Sequence, residues 1–299
     1  MSVLILGATG YVGRRLSTRL AKEGCSVRAL VRSPEQARRL LPQQVVLTTG
    51  DLADEASLAP AFDQMQTIVF LVHSMGIREH SFEEMDRRIA TNVARAAESH
   101  AVKRIVYLGG LGASPSSASA HLRSRAEVGK ILRSTGIPVT ELRAAVVVGA
   151  GSVSFQMIKH LVSRLPLMIC PRWVLVNNQP IAVDDALEYL LRSIRDDNLS
   201  GMTVDIGGPD ILSYRDMMIT VARLMNLRRL IIQVPVLTPR LSSYWVNLVT
   251  PIRAGLAREL IESVRTETVC RDNARFELFD FTPMPFERAV IAALAQEGE

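Results

Sequence analysis

The strongest chemical pattern in the chain is Gly7-Ala8-Thr9-Gly10-Tyr11-Val12-Gly13. It follows a short apolar run at 3–6 and opens a segment with Val12, Leu16 and Leu20 at helical spacing. Glycines placed between a strand and a helix let backbone approach a diphosphate. The helix N-terminus then offers N–H groups and positive potential. The spacing is G-x-x-G-x-x-G rather than G-x-G-x-x-G, but the strand–loop–helix context is the one a dinucleotide needs.

Three further groups close the next apolar runs, where open α/β sheets bind ligands. Val31-Arg32-Ser33 ends the second run. No carboxylate stands there to take a ribose 2′-hydroxyl, whereas the Arg32 guanidinium suits a 2′-phosphate. NADP(H) is therefore favoured, with NAD(H) left open. Only four of the 35 basic residues are lysines, so one arginine is a weak marker in this chain. Asp51, with Leu52 beside it, is placed to accept from the adenine amino group. Val72, His73 and Ser74 end the fourth run, where backbone should line a ribose. His73 reads equally well as a hydrogen-bonded wall residue.

The elements that must position these groups alternate. Strands are expected at 3–6, 27–31, 45–48, 67–72, 104–108 and 139–142, the last leading into 144–148. Helices are expected at 11–23, 34–41, 57–65, 82–99 and 122–134. Short apolar runs separated by helices imply an α/β fold, a doubly wound parallel sheet of Rossmann type covered on both faces. After about residue 150 the rhythm loosens, with helices at 155–165, 186–194 and 214–225 and a strand at 203–206. The expected division is a dinucleotide-binding domain at 1–150 and a smaller C-terminal lobe at 151–299, interleaved with the last elements of the first. Residues 114–120 read as a loop.

Composition narrows the classes. The chain has 299 residues, 48% of them hydrophobic and 22% charged, which excludes a mainly disordered protein. Cys25, Cys170 and Cys270 lie far apart with no C-x-x-C pair, so no metal site and no disulfide framework is expected, and a reducing, cytoplasmic setting is. Thirty-five basic residues face 30 acidic ones. Taken over the whole chain the charges look scattered, a solvated surface rather than a nucleic-acid site. The opening Met-Ser-Val-Leu-Ile-Leu-Gly shows no basic region or cleavage site, so no secretory leader is expected. No run of 18 apolar residues exists, so no ordinary transmembrane helix is expected either.

Several pieces together resemble the short-chain dehydrogenase/reductase superfamily, in its extended and atypical branches, which include NmrA-like NAD(P)H-binding proteins. They are G-A-T-G-Y-V-G, the G-D-L of Gly50 to Leu52, Asn92, I-V-Y-L-G-G-L-G at 105–112, L-R-A-A-V-V-V-G-A-G at 142–151 and Q-P-I-A-V-D-D at 179–185. The resemblance covers about residues 1–225 and is specific for fold and cofactor. It implies that Gly7, Thr9, Gly10, Tyr11, Val12 and Gly13 cradle the diphosphate, that Arg32 meets the 2′-phosphate, and that Asp51 and Leu52 flank adenine. Typical members carry a serine after the fifth strand and a Tyr-x-x-x-Lys pair on the next helix. Here the strand ends Leu108-Gly109-Gly110, and His121 and Arg125 stand at the tyrosine and lysine places. Histidine exchanges protons near neutral pH, while arginine anchors ribose or stabilises an oxyanion. His121 as acid/base and Arg125 as anchor is the catalytic expectation; the alternative has His121 capping a helix or facing solvent after a flexible loop, and Arg125 only holding cofactor.

The segment from Leu230 to Ile252 is apolar, with Arg240 its one charge, and is broken by Pro235, Pro239 and Pro251. Leu241, Tyr244, Trp245 and Leu248 share one helical face. Packing within the lobe, a pocket for a small apolar molecule, a protein partner, a homo-oligomer contact and peripheral membrane contact all stay open. The functional expectation is an NADP(H)-dependent oxidoreductase acting on an apolar carbonyl, enone or quinone-like substrate. A non-catalytic redox sensor or assembly module is the first alternative. A nucleotide-sugar epimerase or dehydratase is the second, disfavoured by the missing tyrosine.

Overall fold

A computed structural model describes residues 1–73, 82–114, 116, 119–234, 262, 265–271 and 274–298. Its central sheet takes seven strands: β1 (Ser2–Leu6), β2 (Ser26–Val31), β3 (Val46–Thr49), β4 (Thr67–Phe70), β5 (Arg104–Gly110), β6 (Val139–Ala144) and β11 (Thr203–Ile206). Their order is β11-β6-β5-β4-β1-β2-β3. The β1–β2, β1–β4, β2–β3 and β4–β5 ladders are all parallel. The sequence order reverses between β1 and β4, which is the switch point of a doubly wound fold.

The helices between these strands are α1 (Tyr11–Lys22), α2 (Pro34–Arg38), α3 (Ala59–Phe62), α4 (Phe82–Ser99) and α5 (Ala120–Arg133). The inward stripes of α3, α4 and α5 and one face of the sheet form a core, in which Leu4, Leu6, Phe62, Ile68, Phe70, Val93, Ile105 and Tyr107 are buried. The expected Rossmann-type α/β fold is the fold observed. Boundaries move for local reasons. Helix α2 stops at Arg38 because Arg38 turns back to donate to the carbonyls of Pro42, Gln43 and Val45. Strand β4 ends at Phe70 rather than 72, and β5 runs on through Gly110.

The later elements are β7 (Val147–Val148), α6 (Val153–Arg164), β8 (Leu167–Pro171), β9 (Asn177–Asn178), β10 (Ile181–Ala182), α7 (Val183–Arg195), β12 (Leu212–Ser213), α8 (Tyr214–Leu224), β13 (Leu230–Val234), α9 (Ala274–Phe279) and α10 (Phe286–Gly298). Two compact units result. The first holds Met1–Gly109, Ser124–Arg143 and Leu187–Val204; the second holds Gly110–Arg123, Ala144–Ala186 and Asp205–Glu299. The two units interleave along the chain, and each takes roughly half of it. The first unit recruits residues 187–204 because its sheet is completed by the strand that begins at Thr203.

The second unit has its own core, built from Phe155, Ile158 and Val162 of α6, Met217, Met218 and Val221 of α8, and Phe286 and Val290 of α10. Strands β8 and β13 pair in parallel beside it, Leu167 opposite Leu230, Met168 opposite Ile231 and Ile169 opposite Ile232. No helix among the described residues is long and apolar enough to cross a membrane. Of the expected apolar segment, residues 235–252, with Arg240, Leu241, Tyr244, Trp245 and Leu248, lie outside the described residues, as does Ser74.

Candidate functional site

The glycine loop has the geometry the sequence asks for. Gly7 takes φ +87°, a conformation that L side chains rarely adopt, and a Cβ there would press on the Leu71 carbonyl at 3.1 Å. The Gly10 N–H closes the turn on the Gly7 carbonyl at 3.0 Å. A Cβ on Gly13 would lie 2.8 Å from Ala8 Cα and 2.9 Å from the Gly7 carbonyl carbon, so the first turn of α1 can sit against the loop only as glycine. Helix α1 has no side-chain N-cap and no acidic residue in its first turn. Its leading amides and its dipole are thus left for an anion, which is the fit a diphosphate requires. Thr9 is exposed, Tyr11 and Val12 half-buried. The Arg15 guanidinium stacks 4.1 Å from the Tyr11 ring centroid and donates to the Tyr11 carbonyl.

Arg32 is the first residue beyond β2 and is exposed; among the described residues its side chain has no hydrogen-bond or ion-pair partner. Arg38 nearby in sequence is committed to three carbonyls. Of the two, Arg32 is the one available to a phosphate. Asp51 is exposed and uses Oδ1 to accept from the Ala53 N–H, while its own N–H is bound by Ser57 Oγ. Leu52 packs on the core, and its carbonyl accepts from Asn92 Nδ2 of α4 at 2.9 Å. Asn92, picked out by the resemblance, thus holds the loop that carries Asp51 and Leu52.

The end of β4 carries a polar network that sequence reasoning missed in part. His73 Nδ1 lies 3.3 Å from Asp86 Oδ2, and the same oxygen accepts from Ser124 Oγ at 2.8 Å. Asp86 and Ser124 are buried. Burial lowers the His73 pKa below its usual value, the Asp86 hydrogen bond opposes this, and the Arg125 cation adds to it. The imidazole is therefore neutral at physiological pH. A signal for Asp86 was present: it shares a helical stripe with Ala90, Val93 and Ala97, so an acid falls on the buried face of α4.

Arg125 lies on α5, where the resemblance puts a lysine. Its guanidinium donates to the carbonyls of Val72, at 3.1 Å, and Leu108, and lies 4.9 Å from the Tyr107 ring centroid. It clamps the carboxyl ends of β4 and β5 together. Tyr107 is fully buried, donates to the Arg125 carbonyl at 3.0 Å, and has its pKa raised by desolvation, with the Arg125 cation partly opposing. It is a framework phenol, not an acid. His121, the second residue of α5, is half-buried and belongs to the second compact unit, whereas Arg125 belongs to the first.

The missing serine also has a physical counterpart. A Cβ at Gly109 would lie 2.8 Å from Glu141 Oε1, and one at Gly129 would lie 2.9 Å from Glu141 Oε2. Two glycines make room for the buried Glu141 carboxylate, which pairs with Arg133. Far along the chain, Gln179 of the Q-P-I-A-V-D-D segment donates to the Gly208 carbonyl and accepts from the Cys270 N–H. Asp185 accepts from the Met284 N–H. Both tie the second unit internally. Among the described residues no cluster of His, Cys, Asp and Glu could hold a metal ion.

Loop, switch point and strand-end residues define a Rossmann-type fold whose glycine turn is open to an anion. Comparison with known proteins agrees. Residues 7–154 match the model of a family described as NAD(P)H-binding. NADH dehydrogenase (ubiquinone) 1 alpha subcomplex subunit 9, mitochondrial, of Arabidopsis thaliana is 26% identical over 297 residues, which cover 93% of this chain and 73% of that protein. Further curated relatives are matched over less than two thirds of their own length. Among solved structures, Citrobacter sp. triphenylmethane reductase complexed with NADP(H) superposes with a TM-score of 0.78 at 18% identity, covering 98% of this chain and 100% of that one. A new type of NADPH-dependent quinone oxidoreductase from Escherichia coli gives 0.75 at 19% identity, covering 97% and 98%. Residues 7–154 thus form an NAD(P)H-binding domain, and the solved structures share its fold.

Proposed function

We propose that this protein is an NADP(H)-dependent oxidoreductase that reduces an apolar carbonyl, enone or quinone-like substrate. The observation that carries the reading is the uncapped, acid-free start of α1 packed on Gly7 and Gly13, a backbone cradle open to a diphosphate. Arg32, exposed and uncommitted beside it, supports the phosphorylated coenzyme. The two structural neighbours, one a triphenylmethane reductase complexed with NADP(H) and the other an NADPH-dependent quinone oxidoreductase, support NADPH and a dye- or quinone-like substrate class. The coenzyme, when bound, supplies the hydride. The chain supplies orientation: Asn92 fixes the Asp51–Leu52 loop, and Arg125 fixes the ends of β4 and β5. His121 is assigned the matching proton and Arg125 the anchoring role. The three cysteines are free thiols, which supports a reducing, cytoplasmic setting.

Two measurements test this. Calorimetry with NADPH and NADH should show NADPH bound more tightly. Arg32→Ala should weaken NADPH by about tenfold and leave NADH unchanged, as loss of a charge-assisted contact predicts; equal losses for both coenzymes would remove the 2′-phosphate role. NADPH oxidation should then be followed against quinones, aldehydes and enones, with His121→Ala slowing turnover at unchanged coenzyme affinity.

A second reading has its own support. The Arabidopsis relative is named as a subunit of a larger enzyme, and the Arg125 fork is spent partly on backbone carbonyls. In that reading the protein is a non-catalytic NAD(P)H-binding redox sensor or assembly module. Tight coenzyme binding without turnover on any acceptor would select it.

A further inference from the structure

The second unit carries an apolar face that its own core does not use. In the β8–β13 pair, Met168 is buried in the core and Ile231 packs against it. The residues on either side point the other way. Leu167 is 45% exposed, Ile169 58%, Leu230 60% and Ile232 44%. The register sets Leu167 against Leu230 and Ile169 against Ile232, so four large aliphatics form two adjacent cross-strand pairs on one face. Single exposed aliphatics are ordinary, but a contiguous set is not.

The two sequence stretches that carry these strands are one-sided in charge. From Leu142 to Val183, the stretch containing β8, the sequence has no Asp or Glu, against Arg143, Lys159, Arg164 and Arg172. From Met217 to Val234, the stretch containing β13, it again has none, against Arg223, Arg228 and Arg229, and no acid follows before Glu259. A chain with 30 acidic residues has kept them out of both stretches. The even scatter of charge expected from whole-chain totals does not hold here. Lys159 is neutralised by Glu297, and Arg223 pairs with Glu287. Arg172, Arg228 and Arg229 have no carboxylate partner among the described residues, and Arg229 donates instead to the carbonyls of Val162 and Ser163. Immediately before β13 lies a pocket of about 310 Å³, lined by Ile219 and Leu227 together with Arg223, Arg228 and Arg229. Of these arginines, Arg228 is exposed and has no carboxylate partner among the described residues, so an aliphatic lining with one available guanidinium suits a phosphate group attached to a hydrocarbon.

We propose that the outer face of β8–β13 docks the protein onto an anionic lipid bilayer, with the four aliphatics inserted at the headgroup level and the exposed Arg172 and Arg228 meeting lipid phosphates. A bilayer surface offers both halves of what the face presents, apolar depth and negative charge. A second copy of this chain would bring the same basic rim against itself, so charge favours lipid over self-association. The inference does not depend on the oxidoreductase reading.

Vesicle flotation of the full chain tests it. The protein should float with vesicles containing phosphatidylglycerol, lose most of that binding in high salt, and stay unbound with phosphatidylcholine alone. Ile169→Asp with Ile232→Asp should reduce flotation tenfold or more while NADPH affinity, which reports on the first unit, stays at the wild-type value. Arg228→Ala should reduce it by about fivefold, the worth of one basic residue near an anionic surface. Failure of the wild-type protein to float with anionic vesicles overturns the proposal. So does concentration-dependent dimerisation in sedimentation that the double variant abolishes, since the face would then be an interface between copies.

Discussion

The central sheet and the β8–β13 pair are built from nearly the same residues and use them in opposite ways. All four residues of β4 and four of the five in β1 are buried, because helices cover both faces of the sheet. In β8 and β13 the aliphatics alternate between core and exposure. As strings, Val-Leu-Ile-Leu and Leu-Ile-Ile-Gln-Val are both apolar runs. What differs is whether a second layer exists. An apolar strand therefore reports on its own burial only through its neighbours, and an uncovered one marks a surface with a task.

The sharpest way to break this contrast is to disturb the region where backbone is packed most closely. Gly13→Ala places a Cβ against backbone atoms of Gly7 and Ala8, which cannot rotate away as a side chain would. We expect a loss of about 3 kcal/mol in unfolding free energy, the range for overpacking at a fixed contact, together with at least a hundredfold loss of NADPH affinity. Gly24→Ala is the control: its φ is +77° but nothing lies within 4 Å of the added carbon. It should cost only about 1 kcal/mol of backbone strain and leave coenzyme affinity intact. Urea denaturation and calorimetry on both variants decide the matter. Equal losses would mean that the loop–helix contact at Gly13 does not govern the site.

The polar network at the end of β4 comes next in size. Asp86→Ala would leave half-buried His73 and buried Ser124 without their shared acceptor and should cost about 2 kcal/mol. The network also sets a pH dependence. The His73 pKa is lowered in the folded state from a usual 6.5, so the unfolded chain binds the proton more readily. Its contribution is complete above about pH 6.5 and declines as the pH falls from there toward the lowered folded-state value. The folded protein should lose stability on acidification through that window, and His73→Gln should flatten the loss. Chemical denaturation at pH 7.5 and 5.5 measures this; identical slopes for wild type and variant would rule out His73 as the titrating group.

Much of the first unit was legible because short-range rules and tertiary demands coincide there. A strand, three spaced glycines and a helix with Leu16 and Leu20 inward can be read without knowing the rest. The network around His73 was half legible. His73 stood out at a strand end, but its partners Asp86 and Ser124 come from two later helices, and only the interruption of the α4 apolar stripe hinted at the first. Gly109 read as a missing serine; that Glu141 fills the space is a fact about β6 and Arg133 that no local pattern carries. The C-terminal half was least legible. The apolar segment starting at Leu230 was noticed, yet its pairing with β8 joins residues more than 60 apart, and strand pairing at that distance leaves no periodic trace.

The smallest effect we expect is the most informative about the second region. If the outer face of β8–β13 were ordinary core left partly open, its aliphatics would still contribute to folding. If it is a surface reserved for a partner phase, they contribute almost nothing in water. Ile169 and Met168 are adjacent in one strand, so backbone context is shared and only the direction of the side chain differs. Met168→Ala removes a buried side chain from the core of α6, α8 and α10 and should cost about 2–3 kcal/mol. Ile169→Ala removes a side chain already 58% exposed and should change stability by no more than about 0.5 kcal/mol. The comparison is made on the soluble protein by urea denaturation, and the same Ile169 variant should weaken vesicle binding. A stability loss at Ile169 approaching that at Met168 would place the side chain in a folded contact and return this face to the interior of the protein.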